Sequence, residues 1–460
     1  MVTAIATDSA PAVVLASEAA ALKRLWLLGV AIVVSTGLAA YTIQVAGDNA
    51  FILIALTSGF LAMAATRVAE GAPTRKMLWW IIAVAILLRG ILLFLDPLLS
   101  NDIYRYIWDG KVQAAGTNPY RYFPVDQALA QLRDAAIYPN INRPDYATTI
   151  YPPVAQMFFF LVTRLGETVT TMKLGLVACE GVTVAIIIAF LRRLGRPETR
   201  VVAYAWHPLP IWEIANNGHV DALMVMLMML GLWLGLTGRP LRGAAAIALA
   251  ALAKPFALLS LAAIWRPWDW RVPVAVIAII AACYLPYLSV GWGVFGFLTS
   301  GYLQEEHIST GGAFWIVSAW RSLFDAMQGD TIVFAAGSAL LITALAMFAA
   351  HREPHSMSAS LTDLNWLLLV FFLLLSPNYP WYFLMITPFV ALRGGAPNWA
   401  LSLGAILMQD EVQWDYSPPV LIRKTILYGT FFGTCVYVTW RASHDRRSAG
   451  ELQHERVDVR

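Results

Sequence analysis

Apolar runs separated by short polar stretches recur along the whole 460-residue chain. Because a helix that crosses a bilayer needs about 20 apolar residues, these runs predict a bundle of about 12–14 transmembrane helices. Several runs are shorter than a full crossing, so the corresponding helices must be broken or buried against their neighbours. The predicted spans are 24–43, 51–67, 77–97, 172–192, 199–214, 219–236, 242–252, 255–265, 272–290, 331–350, 362–377, 380–393, 397–408 and 420–440.

Composition places the chain in the same class. Hydrophobic residues make up 59% of it and charged residues only 13%, whereas a soluble domain carries about 25% charged residues. We therefore predict an all-α polytopic membrane protein. The net charge of +3 does not indicate a nucleic-acid partner. Cys179, Cys283 and Cys435 lie inside apolar runs without metal-ligand spacing, so neither a disulfide framework nor a metal or other cofactor is expected.

The distribution of basic residues sets the orientation, because loops rich in Lys and Arg stay in the cytoplasm. With a cytoplasmic N-terminus, the segments 98–171, 291–330 and 409–419 face the periplasm of a bacterial inner membrane. Lys173, Arg321, Arg423 and Lys424 lie against this rule. The clusters that follow it are Lys23/Arg24, Arg67/Arg75/Lys76, Arg192/Arg193/Arg196/Arg200, Arg239/Arg242, Arg266/Arg271, Arg352 and Arg441/Arg446/Arg447.

The domain organisation follows from the same pattern. We expect a disordered cytoplasmic tail at 1–22, a single transmembrane domain at 23–440 and a cytoplasmic tail at 441–460. The orientation requires that 152–165 be interfacial or re-entrant, and that 242–265 turn back at Lys254-Pro255, where proline disfavours a continuing helix. Residues 127–136 are expected to form a short amphipathic helix along the membrane surface.

The segment 100–122, directly after the apolar run 77–97, carries the densest polar and aromatic cluster. Asp102 lies where a partly desolvated carboxylate suits a general base for a hydroxyl group; a solvated or helix-capping role is the alternative. Arg105 and Lys111 could bind a lipid phosphate, or bind ordinary headgroups or pair with Asp109. The remaining polar and aromatic residues could contact a sugar or form an interfacial aromatic belt: Tyr104, Tyr106, Trp108, Asp109, Asn118, Tyr120 and Tyr122.

A second polar cluster, Asn216-Asn217-Gly218-His219-Val220-Asp221, precedes an apolar run. Asn217, His219 and Asp221 could reach the same outer cavity as Asp102 and hydrogen-bond to sugar hydroxyl groups. The two alternatives are a metal site, for which His-x-Asp is a weak signal, and simple capping of the following helix.

Charged residues inside apolar runs need a partner or an aqueous cavity. Lys254, at the proposed turn, could bind a phosphate, and a lysine that extends to the membrane surface is the alternative. Arg89 and Glu180 are predicted to form a buried ion pair.

Two further outer segments contain residues that could complete the site. Glycines flank Glu305, Glu306 and His307, which suggests a mobile loop whose polar residues contact the acceptor or are simply solvated. The segment Ser376-Pro-Asn-Tyr-Pro-Trp-Tyr382 predicts an outer hairpin in which Asn378, Trp381 and Tyr382 line the cavity, or else a plain proline turn.

Taken in order, these motifs resemble the GT-C superfamily of integral-membrane glycosyltransferases. They are Asp102 with Tyr-Arg-Tyr-x-Trp-Asp-Gly, Asn-Pro-Tyr, Tyr151-Pro-Pro, Asn-Gly-His-x-Asp, Lys-Pro and Pro-Trp-Tyr. The chain is most similar to bacterial polyprenyl-phosphate-mannose-dependent α-mannosyltransferases, which include α-(1→6)-mannopyranosyltransferases and glycosyltransferase family 87.

The resemblance implies a GT-C-like helical bundle with interfacial helices in the first periplasmic loop. It implies a polyprenyl-phosphate-sugar donor, a glycan or glycolipid acceptor, and inversion at the anomeric carbon. The family's catalytic carboxylate corresponds to Asp102. Many relatives carry two adjacent acids there, whereas Asn101 precedes Asp102 in this chain. This difference puts a divalent metal in doubt and leaves Arg105, Lys111 and Lys254 to neutralise the leaving phosphate.

Two rival functions stay open on sequence alone. A transporter or flippase of lipid-linked sugars would place functional charges near the bilayer midplane and show repeat symmetry, whereas the polar clusters here gather at the outer rim. Transfer of another group, such as aminoarabinose, or transfer to protein is the second alternative.

Overall fold

The structure is a computed structural model that describes residues 9–325, 327, 329–352, 356–409 and 418–457. All regular elements in these residues are helical, which confirms the predicted all-α class. The α-helices of the first half are α1 (Ser9–Val45), α2 (Asp48–Gly71), α3 (Arg75–Leu93), α4 (Asp102–Ala114), α5 (Pro153–Thr163), α6 (Val169–Arg193), α7 (Val202–Ala205), α8 (Pro208–Pro210), α9 (Asp221–Leu236) and α10 (Pro240–Ala251).

The second half contains the remaining α-helices, and short 3-10 and π segments connect many of the helices. The α-helices are α11 (Arg271–Tyr284), α12 (Leu303–Glu305), α13 (Trp315–Leu323), α14 (Asp330–His351), α15 (Met357–Leu375), α16 (Thr387–Leu392), α17 (Ala396–Gly404) and α18 (Pro418–Val457). The 3-10 segments are Gln127–Leu132, Tyr138–Asn140, Glu198–Val201, Pro255–Ala263, Leu285–Phe295, Pro380–Ile386 and Ala405–Met408, and the π segments are Ile211–Asn216 and Leu298–Tyr302.

Seven helices of the described chain are long and apolar enough to cross a membrane, so the polytopic class is also confirmed. They cover 18–45, 49–71, 75–93, 169–193, 271–295, 330–351 and 357–375. Five further apolar helices have only 10–17 residues: 153–163, 221–236, 240–251, 380–392 and 396–408. Most side chains of α9, α16 and α17 are buried among other helices. The short predicted spans are therefore broken or internal helices, as their lengths require.

The N-terminal tail differs from the prediction. Residues 1–22 are predicted to be disordered, but α1 begins at Ser9 and continues without a break into the apolar run. The stretch from Ala16 to Ala21 consists mainly of alanine and glutamate, which favour helix and carry the apolar helix toward the N-terminus. Residues 1–8 lie outside the described part of the chain, as do 410–417 of the predicted outer segment 409–419.

The first outer segment, 98–171, is built on α4 and α5, which pack against each other. The 11 residues of α5 span about 16 Å, too short for a crossing and in agreement with an interfacial or re-entrant helix. A 3-10 helix at Gln127–Leu132 lies inside the predicted helix 127–136. The N–H groups of Val154 and Ala155 donate to the carbonyl of Leu252 at 3.0 and 3.2 Å, so α5 starts at the end of α10.

Close packing of α9 and α10 brings Lys254 to this outer segment. A Cβ on Gly243 would lie 2.7 Å from the carbonyl oxygen of Gly231 and 2.7 Å from the amide nitrogen of Gly235, so the two backbones approach as only glycine allows. After α10 the chain is extended at Lys254, and residues 255–263 turn back along α10. The predicted reversal at Lys254-Pro255 is therefore present.

The predicted buried ion pair also forms. Arg89 Nε donates to Glu180 Oε2 at 3.1 Å, and both side chains are less than 10% exposed. A second guanidinium nitrogen donates to the carbonyl of Ala205, so the pair ties α3, α6 and α7 together.

Candidate active site

A cavity of about 610 Å³ lies at the N-terminal end of α4, where the predicted polar clusters meet. The first outer segment supplies most of its wall, and Pro97, the turn after α10, the second outer segment, the 376–382 hairpin and Gln409 supply the rest. Its polar lining residues include Ser100, Asn101, Asp102, Asn142, Arg143, Lys254, Glu306 and Gln409, and its aromatic ones Tyr104, Tyr146, Tyr151, Tyr302, Tyr379 and Trp381.

Asp102 is the first residue of α4 and faces this cavity, with a side chain 17% exposed. Asn142 Nδ2 donates to Asp102 Oδ1 at 2.6 Å. The other oxygen, Oδ2, lies 3.9 Å from His219 Nδ1. An acidic residue is common at the N-terminal end of a helix, where it faces unpaired backbone N–H groups.

His219 connects Asp102 to the centre of the bundle. Its ring is buried and stacks on Trp381, with centroids 4.1 Å apart and planes 19° from parallel. Its Nε2 lies 3.3 Å from Glu213 Oε2. The backbone can bring the ring here because Gly218 has a φ of +70° and the His219 N–H donates to the Glu213 carbonyl at 2.8 Å.

Lys254 supplies a positive charge to the cavity wall. Its Nζ lies 3.5 Å from Asp221 Oδ2 and 4.7 Å from the ring centroid of Tyr382. The hydroxyl of Tyr382 is in turn 2.6 Å from that of Tyr302. The ammonium group therefore has one carboxylate partner and one aromatic partner, with a face toward the cavity.

Arg143 is a second cation at the cavity, and sequence reasoning missed it. Its Nη2 lies 2.6 Å from Glu305 Oε1, which joins the first outer segment to the second. Burial lowers the pKa of Arg143, but the charges of Asp102 and Glu305 outweigh that effect, so the pKa is raised overall. The backbone at Arg143 has a φ of +51°, which sets the direction of its side chain. No local sequence pattern predicts this left-handed backbone conformation.

Glu306 adds a second carboxyl group to the lining. The residue is only 6% exposed, and its Oε1 has no hydrogen-bond partner in the described structure. Burial raises its pKa to about 7, although Tyr379 and Arg143 oppose the shift. This group therefore titrates near neutral pH beside Arg143.

Arg105 and Lys111, which are predicted to bind a phosphate or to pair with Asp109, do not line this cavity. Arg105 is buried and donates to Asp109 Oδ1 at 3.0 Å and to the Ala147 carbonyl at 3.2 Å. Lys111 pairs with Asp134 and lies 3.7 Å from Glu167. Both cations already have carboxylate partners within the first outer segment, so they stabilise the fold of that segment.

Several residues that are predicted to contact a sugar have partners within the protein. Tyr106 and Trp108 are buried against Phe159 and Tyr138, and Asp109 binds Arg105 and Gln156. Asn118 donates to the Tyr287 carbonyl at 2.8 Å, and the Tyr120 hydroxyl donates to the Tyr151 carbonyl. Asn217 accepts from the Leu99 N–H and donates to Glu213.

His307 is not among the residues that line the cavity. The residues that the structure does bring together at or beside it are Asp102, His219, Asp221, Lys254, Trp381 and Tyr382.

In the described residues, no three His, Cys, Asp or Glu side chains form a group that could hold a metal ion. The absence of a metal requirement stays a prediction. Chemically, the cavity combines one accessible carboxylate at a helix N-terminus with two cations, which suits removal of a proton beside a departing anion.

Comparison with known proteins gives a consistent result. Residues 9–268 match the family model described as "Alpha-(1->6)-mannopyranosyltransferase, N-terminal domain". Alpha-(1->6)-mannopyranosyltransferase A of Mycobacterium tuberculosis is 25% identical over 347 residues, which cover 69% of this chain and 63% of that protein. The chain thus spans less than two thirds of the length of this relative. No solved structure matches the chain significantly.

Proposed function

Because the chain belongs to the alpha-(1→6)-mannopyranosyltransferase family, we propose that it transfers a mannosyl unit from a polyprenyl-phosphate-linked donor to a glycan or glycolipid acceptor. The observation that carries the proposal is the grouping of Asp102, Lys254 and Arg143 around one cavity. Sugar transfer from a lipid phosphate needs a base for the acceptor hydroxyl and positive charge for the phosphate. The mannosyl group itself is taken from the family and the relative's name.

Asp102 is proposed as the general base. Its carboxylate accepts the proton of the acceptor hydroxyl while the hydroxyl oxygen bonds to the anomeric carbon and the bond from that carbon to the phosphate oxygen breaks. Attack from the face opposite the phosphate inverts the configuration. The amide of Asn142 occupies Oδ1 at 2.6 Å, which leaves Oδ2 for the incoming proton.

Lys254 and Arg143 are proposed to neutralise the departing phosphate. Asp221 and Glu305 pair with them and hold their side chains in place. A phosphate monoester is a good leaving group once cations stabilise it, so the proposal includes no divalent metal. Treatment with EDTA is expected to leave turnover unchanged, and loss of turnover that manganese or magnesium restores would contradict this part.

The test is reconstitution. Purified protein in vesicles receives a synthetic polyprenyl-phosphate-[¹⁴C]mannose and a glycolipid extract from a strain that lacks the gene. The expected result is a labelled glycan one hexose longer and free polyprenyl phosphate, with the Asp102→Asn variant as the inactive control. Movement of the labelled donor between leaflets without a new glycosidic bond would instead support the flippase alternative, and transfer from other polyprenyl-phosphate sugars only would exclude mannose.

A further inference from the structure

A second large cavity lies between α2, α17 and α18, and its volume is about 660 Å³. Most of its wall is apolar and comes from Phe60, Met63, Leu403, Leu407, Ile426 and Leu427. The apolar side chains of Phe60 and Ile426 are more than half exposed, so the groove is open on one side. It has the form of a slot for a hydrocarbon chain between helices.

One end of this groove is strongly basic. Arg67, Arg200 and Arg393 line it together with Glu70. Two arginines bind the last turn of α16. Arg200 Nε donates to the Ala391 carbonyl at 3.0 Å, and a fourth arginine of the cluster, Arg196, donates to the carbonyl of Leu392. A helix C-terminus favours such cations.

Among the residues that the structure describes, a single carboxylate pairs with this cluster. Glu70 pairs with Arg200 at 2.9 Å. Within the described chain, Arg67, Arg196 and Arg393 form no ion pair, and Arg393 donates only to a hydroxyl, Ser358 Oγ, at 3.1 Å. Within the described part of the chain, four guanidinium groups therefore share one carboxylate, which leaves three positive charges at the end of the apolar groove.

This groove is separate from the candidate active site. Arg423 binds both Asn49 and the carbonyl of Gln409, a residue of the Asp102 cavity, so the start of α2 lies near that cavity. Arg67 is 18 residues further along the same helix, about 27 Å away. The basic end of the groove is thus at the opposite end of the bundle.

We propose that the groove is a binding site for one anionic phospholipid. An acyl chain lies along the apolar wall, and the phosphate is held by Arg67 and Arg393, whose planar forks match phosphate oxygens. Basic pockets between transmembrane helices bind anionic headgroups in this way. The lipid comes from the leaflet opposite the Asp102 cavity and stabilises the contact between α2 and α18.

Native mass spectrometry of the detergent-purified full chain tests this proposal. Phosphatidylglycerol and phosphatidylcholine of equal chain length are the probes, and one phosphatidylglycerol is expected to remain bound about tenfold better than phosphatidylcholine. An Arg67→Gln/Arg393→Gln variant should lose that preference. Thr430→Trp, which fills the groove at an exposed position, should lose both lipids. Arg271→Gln is the matched control, because Arg271 is exposed and pairs only with Asp269 in the described chain.

Several outcomes of this experiment and of two further measurements would contradict the proposal. Equal retention of the two lipids, or a preference that survives the double substitution in a monodisperse protein, would overturn the proposal. Protection against heat by inorganic phosphate as large as that by phosphatidylglycerol would reduce the site to a simple anion site. A dimer cross-linked through cysteines placed at Thr430 and Thr434 would assign the groove to a second copy of the chain.

Discussion

At the scale of single residues, the candidate base is held from two sides. Asn142 donates to one oxygen of Asp102, and His219 approaches the other at 3.9 Å. The His219 ring cannot move freely because it is stacked on Trp381. Only the cavity side of the carboxylate is therefore open to a substrate.

Replacing Asp102 by Asn should abolish transfer while the protein folds normally. The amide keeps the shape and the contact with Asn142 but cannot accept a proton, so turnover should fall by at least about 100-fold. The measurement is labelled-mannose transfer by purified protein, with Asp145→Asn, an exposed acid of the same segment, as the control. Near-normal turnover in the Asp102→Asn variant would remove this residue from the role of base.

Lys254→Met and Arg143→Gln should each lose about 10- to 100-fold in transfer rate, because each removes a charge-assisted contact with the departing phosphate. Arg143→Lys should recover little, since an ammonium group cannot reproduce the planar fork.

Arg105→Gln should behave differently from these two variants. It breaks a buried pair with Asp109 and should lower Tm. If Arg105→Gln slows transfer at unchanged Tm, the departing phosphate does not lie between Lys254 and Arg143.

Glu306 should make stability depend on pH. Its pKa is about 7 in the folded protein and about 4.3 when unfolded. The folded state therefore binds more protons between these values, and its stability falls as the pH rises through them. The wild-type Tm should drop between about pH 4.5 and 7.5, and Glu306→Gln should remove part of the drop. An identical pH profile in Glu306→Gln would show that this carboxyl group titrates normally.

Asp102, Lys254 and His219 could be predicted because each is a polar residue at the end or turn of an apolar run. For Arg105 the residue type alone left a phosphate contact and a pair with Asp109, one helical turn later, as alternatives, and the structure contains the pair. Arg143 and Glu306 reach the cavity through the packing of two irregular outer segments. No periodic pattern encodes that packing, so Arg143 escaped prediction, whereas Glu306 was expected as part of a loop that contacts the acceptor or is simply solvated.

At the scale of elements, the contact between α9 and α10 positions Lys254 beside Asp221. Gly231 and Gly243 allow this contact, because a side chain on either of them would clash with the backbone of the other helix. The apolar runs predicted both helices and the reversal after α10. They could not predict how closely the two helices approach, because that distance depends on which helix faces the glycines.

Gly243→Leu should separate α9 from α10. The added side chain has no space, so we expect a loss of about 1–3 kcal/mol in stability, a lower Tm, and reduced transfer as Lys254 moves away from Asp221. The measurements are Tm and transfer rate side by side. Gly90→Leu is the matched control, since a side chain on this exposed glycine of α3 meets no atom within 4 Å. Equal effects of the two substitutions would mean that the close contact is unimportant.

At the scale of the whole molecule, the candidate active site is proposed to face the periplasm, on the evidence of the basic residues. Lys424, which lies against that rule, is buried and bound to the carbonyls of Ala313 and Ser376 and to Asn378. Lys424 therefore has a structural role and is not evidence against the predicted orientation. Such an exception could not be recognised from the sequence.

Labelling of single cysteines should decide the orientation. After the three native cysteines are changed to serine, Ala128→Cys should react with an impermeant maleimide in intact spheroplasts, and Ser443→Cys should react only after lysis. Both positions are exposed, so access to the side chain does not limit the reaction. The opposite pattern would invert the molecule and place the donor in the cytoplasmic leaflet.

The hydrogen bonds from Val154 and Ala155 to the carbonyl of Leu252 have a mechanical consequence. The proposed base stands on an outer segment, whereas the cation Lys254 follows α10, a helix that is predicted to enter the bilayer, so we expect the lipids to act differently on these two parts. By tying α5 to the chain two residues before Lys254, the bonds make both parts move together. We therefore expect the distance between base and cation to depend little on the thickness and lateral tension of the membrane.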